Sequence, residues 1–338
     1  MFEDKPRILI IRTDRIGDVV LSTPLPKVIK KKYPNCYVAV LLRNYTKDIY
    51  LNNPFVDEII IADANHGSFL KLLKKIRSMS FSHSLNLLPT ERMNWLLFLS
   101  GIKKRIGVGY KFYQFLTNSK SVFRNKYNPL KHESHYCLDE LKKIGIQWTE
   151  DDEEIYLSEE EKNESQLFRD SICNSGEMII GINVTSGNSA PNLRVNEYVK
   201  IILKLQKLAS IKIAVTDFNP PKEILNIDGV FYPNLNKPLR KSITNFNALD
   251  LLVSSSTGSM HIAAGLKVKT LSLFCPLKAC SPNLWAPKGN ESHILLPEEN
   301  YCKTQCPGNP KICDYSGEGG IDASIVVNKI KTLLNLSD

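Results

Sequence analysis

Short apolar runs separated by helix-length stretches recur along this 338-residue chain in two successive series, and this alternation restricts the fold more than any other feature. Such runs, bounded by turn residues, read as buried parallel strands, because a strand covered on both faces has no polar side to alternate. In the first series the strands fall at Ile8 to Thr13, Tyr37 to Arg43, Glu58 to Ala62 and His83 to Leu87, with helices near Val19 to Lys32, Phe69 to Ser78 and Arg92 to Leu99. The second starts at Met178 to Val184 and continues through a helix at Val195 to Leu208 and strands at Ile211 to Thr216, Leu251 to Ser254 and Thr270 to Phe274. Parallel strands joined by crossover helices form doubly wound sheets, so the pattern predicts an α/β chain of two Rossmann-like domains.

The join between the series is marked by composition. A polar stretch at Asn125 to Lys131 and an amphipathic one at Tyr136 to Ile144 precede acidic runs at Glu150 to Glu154 and Glu159 to Glu164, which places a linker within residues 145–175. The expected division is 1–165, 166–320 and a closing helix within 321–338, reached through a loop rich in Pro, Gly, Asn and Cys after Pro276. Doubly wound sheets bind ligands at the carboxyl ends of their strands, so the site is expected in a cleft that both domains face.

Composition then narrows the function. With 43% hydrophobic and 23% charged residues the chain is globular, and its apolar runs stop far short of the roughly 20 residues of a membrane span. Acids precede the first apolar run, and Arg12, Asp14 and Arg15 end it, unlike a secretory signal, so a cytoplasmic protein is expected. The formal charge of +9 suits a nucleotide or the phosphate-bearing face of a membrane. Nucleic acid is not expected, because Lys30-Lys31-Lys32 and Lys103-Lys104-Arg105 are short and interrupted. The eight cysteines read as free thiols, and the tail group Cys302, Cys306 and Cys313 lacks the paired knuckles of a structural zinc site, so no metal is expected.

Two segments carry chemistry. In RTDRIGDVVLSTP, Arg12 to Pro24, a strand enters a turn at Gly17, and Asp18 stands where a carboxylate either caps a helix or faces the crevice. In SSSTGSMHIAAGLKVKTLSLFCP, Ser254 to Pro276, small residues open a helix whose backbone N–H groups and dipole can face a pyrophosphate, with Thr257 adding a hydroxyl. Read alone, each is also an ordinary capped helix, with His261 packed beneath the second. The first turn lacks the glycine triplet of a dinucleotide site, which argues against a NAD enzyme.

Together and in this order, the two segments resemble the N-terminal and donor motifs of glycosyltransferase family 9, the ADP-heptose:lipopolysaccharide heptosyltransferases, over about Arg7 to Leu334. The resemblance implies a GT-B-like fold and metal-independent inverting transfer from ADP-heptose to a lipid-linked, phosphorylated oligosaccharide, with peripheral contact at the cytoplasmic face of the inner membrane. It assigns Asp18 as general base and Ser256, Thr257, Gly258, Ser259, Met260 and His261, with Thr185, to the donor. Arg194 and Glu223 join that set by looser matches, and Arg15, Lys104 and Arg105 are expected to meet acceptor phosphates. The chain departs from the family where Ser256 replaces an acid, Pro191 a basic residue and Leu193 a tryptophan, all on the donor side. A nucleotide-sugar epimerase or hydrolase, or a non-catalytic two-lobed binding protein, would share the architecture.

Overall fold

A computed structural model of the chain describes residues 5–62, 69–125, 128, 131–149 and 152–336. Glu150, at the head of the first acidic run, and residues 126, 127, 129 and 130 of the polar stretch lie outside the described residues. The chain divides into two compact units, Met1–Tyr156 and Leu157–Asp338.

The first unit runs β1 (Arg7–Ile11), α1 (Ile16–Val20), α2 (Pro24–Lys32), β2 (Tyr37–Leu42), β3 (Glu58–Ile61), α3 (Phe69–Ser78), β4 (His83–Asn86), α4 (Glu91–Leu99), β5 (Lys104–Val108), α5 (Phe112–Leu116), β6 (Lys120–Val122) and α6 (Glu133–Lys142). Its six parallel strands lie in the order β3-β2-β1-β4-β5-β6, with Ile11 of β1 opposite Leu41 and Asn86. The apolar residues of β1 and β2 are buried on both faces, as a doubly covered sheet requires. The single helix predicted over Val19 to Lys32 is two helices. Pro24 has no N–H to return to Val20, whose carbonyl instead takes the Thr23 N–H (2.9 Å) and hydroxyl (2.7 Å), and a new helix starts with Pro24 at its first position.

The second unit runs α7 (Glu159–Ile172), β7 (Met178–Asn183), α8 (Val195–Leu205), β8 (Ile211–Val215), α9 (Lys222–Leu225), β9 (Val230–Phe231), α10 (Leu239–Phe246), β10 (Leu251–Ser255), α11 (Gly258–Gly265), β11 (Lys269–Leu273), α12 (Pro282–Trp285), β12 (Ser292–Leu295), α13 (Tyr301–Thr304) and α14 (Ala323–Leu334). Its sheet order, β12-β11-β10-β7-β8-β9, repeats that of the first unit when each is counted from its own first strand. Gly181 in β7 lets the sheet pack closely, since a Cβ there would come 2.5 Å from Leu249 Cδ1.

Two boundaries differ from expectation. α7 spans the expected division at residue 165 and belongs wholly to the second unit. Its Ser158–Glu161 capping box opens it, and Glu161 accepts Arg240 of α10 through both oxygens, each at 2.6 Å. α14 is not a separate segment, because Val326, Val327 and Ile330 bury themselves in the same core as Ile201 and Leu205 of α8. β5, β6, β9 and β12 were not predicted as strands, and each is short or broken by charged residues or glycine.

Candidate active site

A doubly wound sheet opens its crevice where the chain reverses direction across the sheet, here between β1 and β4 and again between β7 and β10. The first crevice is organised by Arg12, the residue after β1, whose guanidinium is buried. It donates to Asp18 Oδ1 (2.7 Å), Glu133 Oε1 (3.2 Å), the Leu87 carbonyl (3.3 Å) and Cys137 Sγ (3.5 Å), and its Nε lies 2.9 Å from Asp14 Oδ1. Burial opposes the Arg12 charge, but the surrounding anionic groups outweigh it and hold its proton more tightly than usual. Glu133 is held from the other side by Arg124, at 2.7 and 2.6 Å.

Burial acts on two of the carboxyl groups near Arg12. Burial pushes Asp14 up to about 6 against the pull of Arg12, and pushes Glu140, fully buried on α6, well above the carboxylate range. Asp18 is 20% exposed, and its Oδ2 has no hydrogen-bond or ion-pair partner among the described residues. One oxygen is therefore fixed and the other is available to a ligand. Arg15, N-terminal to α1, is exposed at the same end of the sheet.

Lys104 and Arg105 need correction as acceptor residues. They pair with His83 and Ser84 at the amino end of β5, while Asp18 follows the carboxyl end of β1, a strand length of roughly 13 Å away. Arg105 is also buried, with its guanidinium spent on the Thr117 carbonyl (3.1 and 2.6 Å) and on that of Ile102.

In the second unit Thr185 follows the carboxyl end of β7 by two residues. Its N–H (2.8 Å) and hydroxyl (2.5 Å) both donate to Asp217, which also accepts the Val184 N–H at 2.7 Å. Asp217 was missed in the sequence; the signal was an acid directly after the β8 run, in VTDF. Burial raises its carboxyl, and the Thr185 and Val184 donors pull the other way. Across the crevice, Thr257 turns its hydroxyl to Asn183 Oδ1 (3.3 Å) and does not cap α11, so the first-turn N–H groups of α11 have no cap from its side chain. Asn192 ties the two edges, accepting Ser255 Oγ (2.6 Å) and Tyr198 (2.7 Å) while donating to the Val184 carbonyl (2.6 Å).

Ser256, Gly258 and Ser259 are half-buried at this turn, whereas Met260 and His261 are buried beneath it. Met260, with no exposed surface, supports the turn and cannot touch a ligand there. Arg194 stands before α8 and is engaged by Asp314 and by Ser316 Oγ (2.8 Å), while Glu223 is exposed on α9 beyond Pro220 and Pro221. Cys275, Cys302, Cys306 and Cys313 line one cavity of about 290 Å³, with the sulfurs of Cys306 and Cys313 3.9 Å apart. Among the described residues no group of three His, Cys, Asp or Glu side chains is placed to hold a metal ion.

Two units of Rossmann strand order, each with polar groups gathered at its crevice, define a two-domain α/β protein of the GT-B-like class. No family model matches the chain. It is 24% identical over 307 residues to a Haemophilus influenzae protein provisionally named a glycosyltransferase, covering 86% of this chain and 88% of that one. It is 22% identical over 320 residues to the lipopolysaccharide heptosyltransferase 2 of Escherichia coli, covering 88% and 90%. Among solved structures, a family 9 glycosyl transferase from Veillonella parvula superposes with a TM-score of 0.80 at 19% identity over 98% of both chains. The ADP-heptose LPS heptosyltransferase II of E. coli gives 0.72 at 17% identity, over 97% and 98%. The chain is thus a homologue of glycosyltransferases, with the two-domain fold of glycosyltransferase family 9.

Proposed function

We propose that this enzyme transfers heptose from ADP-heptose to a lipopolysaccharide core acceptor with inversion at the anomeric carbon, and that Asp18 is the general base. The reading is carried by Asp18 itself, a carboxylate at a crevice with one oxygen anchored to Arg12 and the other unengaged. In the reaction the acceptor hydroxyl oxygen bonds to the anomeric carbon as the bond from that carbon to the phosphate oxygen breaks. The hydroxyl proton passes to Asp18, and ADP leaves with the bonding electrons.

The first unit is assigned the acceptor, with Arg15 as a phosphate contact. The second is assigned the donor, with the leaving diphosphate at Thr257, Gly258 and Ser259 and with Thr185 and Ser256 beside it. The uncapped start of α11 and its dipole supply stabilisation of the developing charge that requires no metal. No helix among the described residues is long and apolar enough to cross a membrane, so the proposed contact with the cytoplasmic face of the inner membrane is peripheral.

Thermal shifts with ADP, UDP, GDP and CMP, read on wild type and Asp18→Asn, test the donor assignment. ADP at a hundredfold excess over its dissociation constant stabilises by about 2.7 kcal/mol. With ADP-heptose and a core acceptor, Asp18→Asn is expected to lose roughly a hundred- to ten-thousandfold in turnover while keeping the ADP shift. No shift with ADP would remove ADP-heptose as donor, and full turnover by Asp18→Asn would remove the proposed base.

A further inference from the structure

Between Glu91 and Glu133 the chain contains no acidic residue and nine lysines and arginines, a sum equal to the +9 of the whole molecule. The same stretch carries a cluster of large apolar side chains turned to solvent: Phe115 is 80% exposed, Phe112 75%, Tyr110 69%, Phe123 54% and Leu116 49%. Tyr110 and Phe123 are ring neighbours at 6.0 Å, which joins the turn before α5 to the end of β6, and Phe112, Phe115 and Leu116 are exposed on α5, the helix that connects them. Soluble surfaces rarely leave so many aromatics together unless they meet a partner.

We infer that this patch is the surface by which the protein docks on an anionic phospholipid bilayer. Its chemistry selects that occupant. Protein interfaces are depleted of lysine, whereas here Lys111, next to Phe112, and Lys120, on β6, are exposed in the same stretch as the aromatics. Aromatic rings inserted at headgroup level with lysines around them are the pattern of a peripheral membrane contact. The location fits as well. The turn holding Tyr110 and Lys111 follows the carboxyl end of β5, on the same edge of the sheet as Asp18 after β1 and two strands away, about 10 Å at the spacing of neighbouring strands. A docked bilayer would present a lipid-anchored acceptor at that edge.

The inference takes its choice of lipid acceptor from the heptosyl-transfer reading, and its test is independent of nucleotide binding. The full chain is sedimented with phosphatidylcholine vesicles containing or lacking phosphatidylglycerol. Wild type is expected to bind the anionic vesicles preferentially, and less at high salt. Phe112→Ser with Phe115→Ser, both on exposed side chains, should weaken binding by about tenfold or more, the equivalent of half-burying two rings. Lys111→Glu with Lys120→Glu should abolish the preference for phosphatidylglycerol. Both double variants should keep the wild-type ADP shift. If that shift is absent but vesicle binding holds, the docking surface stands and the heptosyl reading falls. Failure of wild type to bind anionic vesicles, or equal binding by the phenylalanine variant, overturns the docking surface. So does light scattering that shows the phenylalanines holding a dimer of a chain that does not bind vesicles.

Discussion

At the scale of single residues, the carboxylates of this protein do different work according to what surrounds them. Asp18 has one oxygen anchored to Arg12, Glu140 is fully buried with its carboxyl pushed up by burial, and Asp217 is engaged by Val184 and Thr185. Asp217→Ala would leave the Val184 and Thr185 N–H groups without an acceptor in a buried crevice. At about 1–3 kcal/mol for each unsatisfied donor, it should destabilise the protein by roughly 2–6 kcal/mol in urea melts and weaken the ADP shift. A variant as stable as wild type would show that Asp217 does not hold this turn. Asp18 and the Thr257 turn were legible in the sequence because each sits in a strand-turn-helix motif whose geometry is local. Asp217, Glu133 and Glu140 were not, since their partners lie far along the chain, as Glu133 does from Arg12, 121 residues away.

At the scale of elements, the long irregular segment between β12 and α14 is held by a tight turn. Gly320 donates to the Gly317 carbonyl and Ile321 to that of Tyr315, which buries both Tyr315 and Ile321. A Cβ on Gly320 would stand 1.8 Å from the Tyr315 carbonyl oxygen, so Gly320→Ala must open the turn, at about 3 kcal/mol. Gly308→Ala, at φ +73° with no atom within 4 Å, should cost about 1 kcal/mol, for backbone conformation alone. Equal urea midpoints for the two variants would refute the role of the turn. The split of α1 from α2 has its signal in Pro24, which the single helix expected over Val19 to Lys32 ran through. The edge strands β6, β9 and β12 have no such signal, since two to four residues without an apolar run carry little pattern.

For the molecule as a whole, acid stability is set partly by His83, buried at the start of β4, where burial and Lys104 lower its pKa to about 4. The unfolded chain takes up this proton below about 6.5 and the native chain does not. Its contribution is therefore intact at neutral pH and is lost as pH falls from about 6.5 to about 4, by on the order of 3 kcal/mol. Asp14, raised to about 6, acts with the opposite sign, since the native state holds its proton between about 4 and 6 and gains stability as pH falls there. His83→Gln should flatten the fall between pH 6.5 and 4 relative to wild type. Parallel curves for the two proteins would exclude His83 as the source.

Two doubly wound domains in succession, a helix start around Asp18 past the first strand, and a helix at Gly258 opened by small residues were readable from the chain alone. All three follow from short-range physics: apolar period, proline and glycine geometry, and the capping of helix starts. Only the assembled fold made Arg105 a buried brace, tied Asp217 to Thr185, and brought three carboxylates onto one buried arginine. It also turned Tyr110, Phe112, Phe115 and Phe123 to solvent, with Lys111 and Lys120 exposed in the same stretch. These outcomes depend on which distant residues share a crevice or a face, and burial and charge at such places are properties of the assembled fold, to which local pattern is blind.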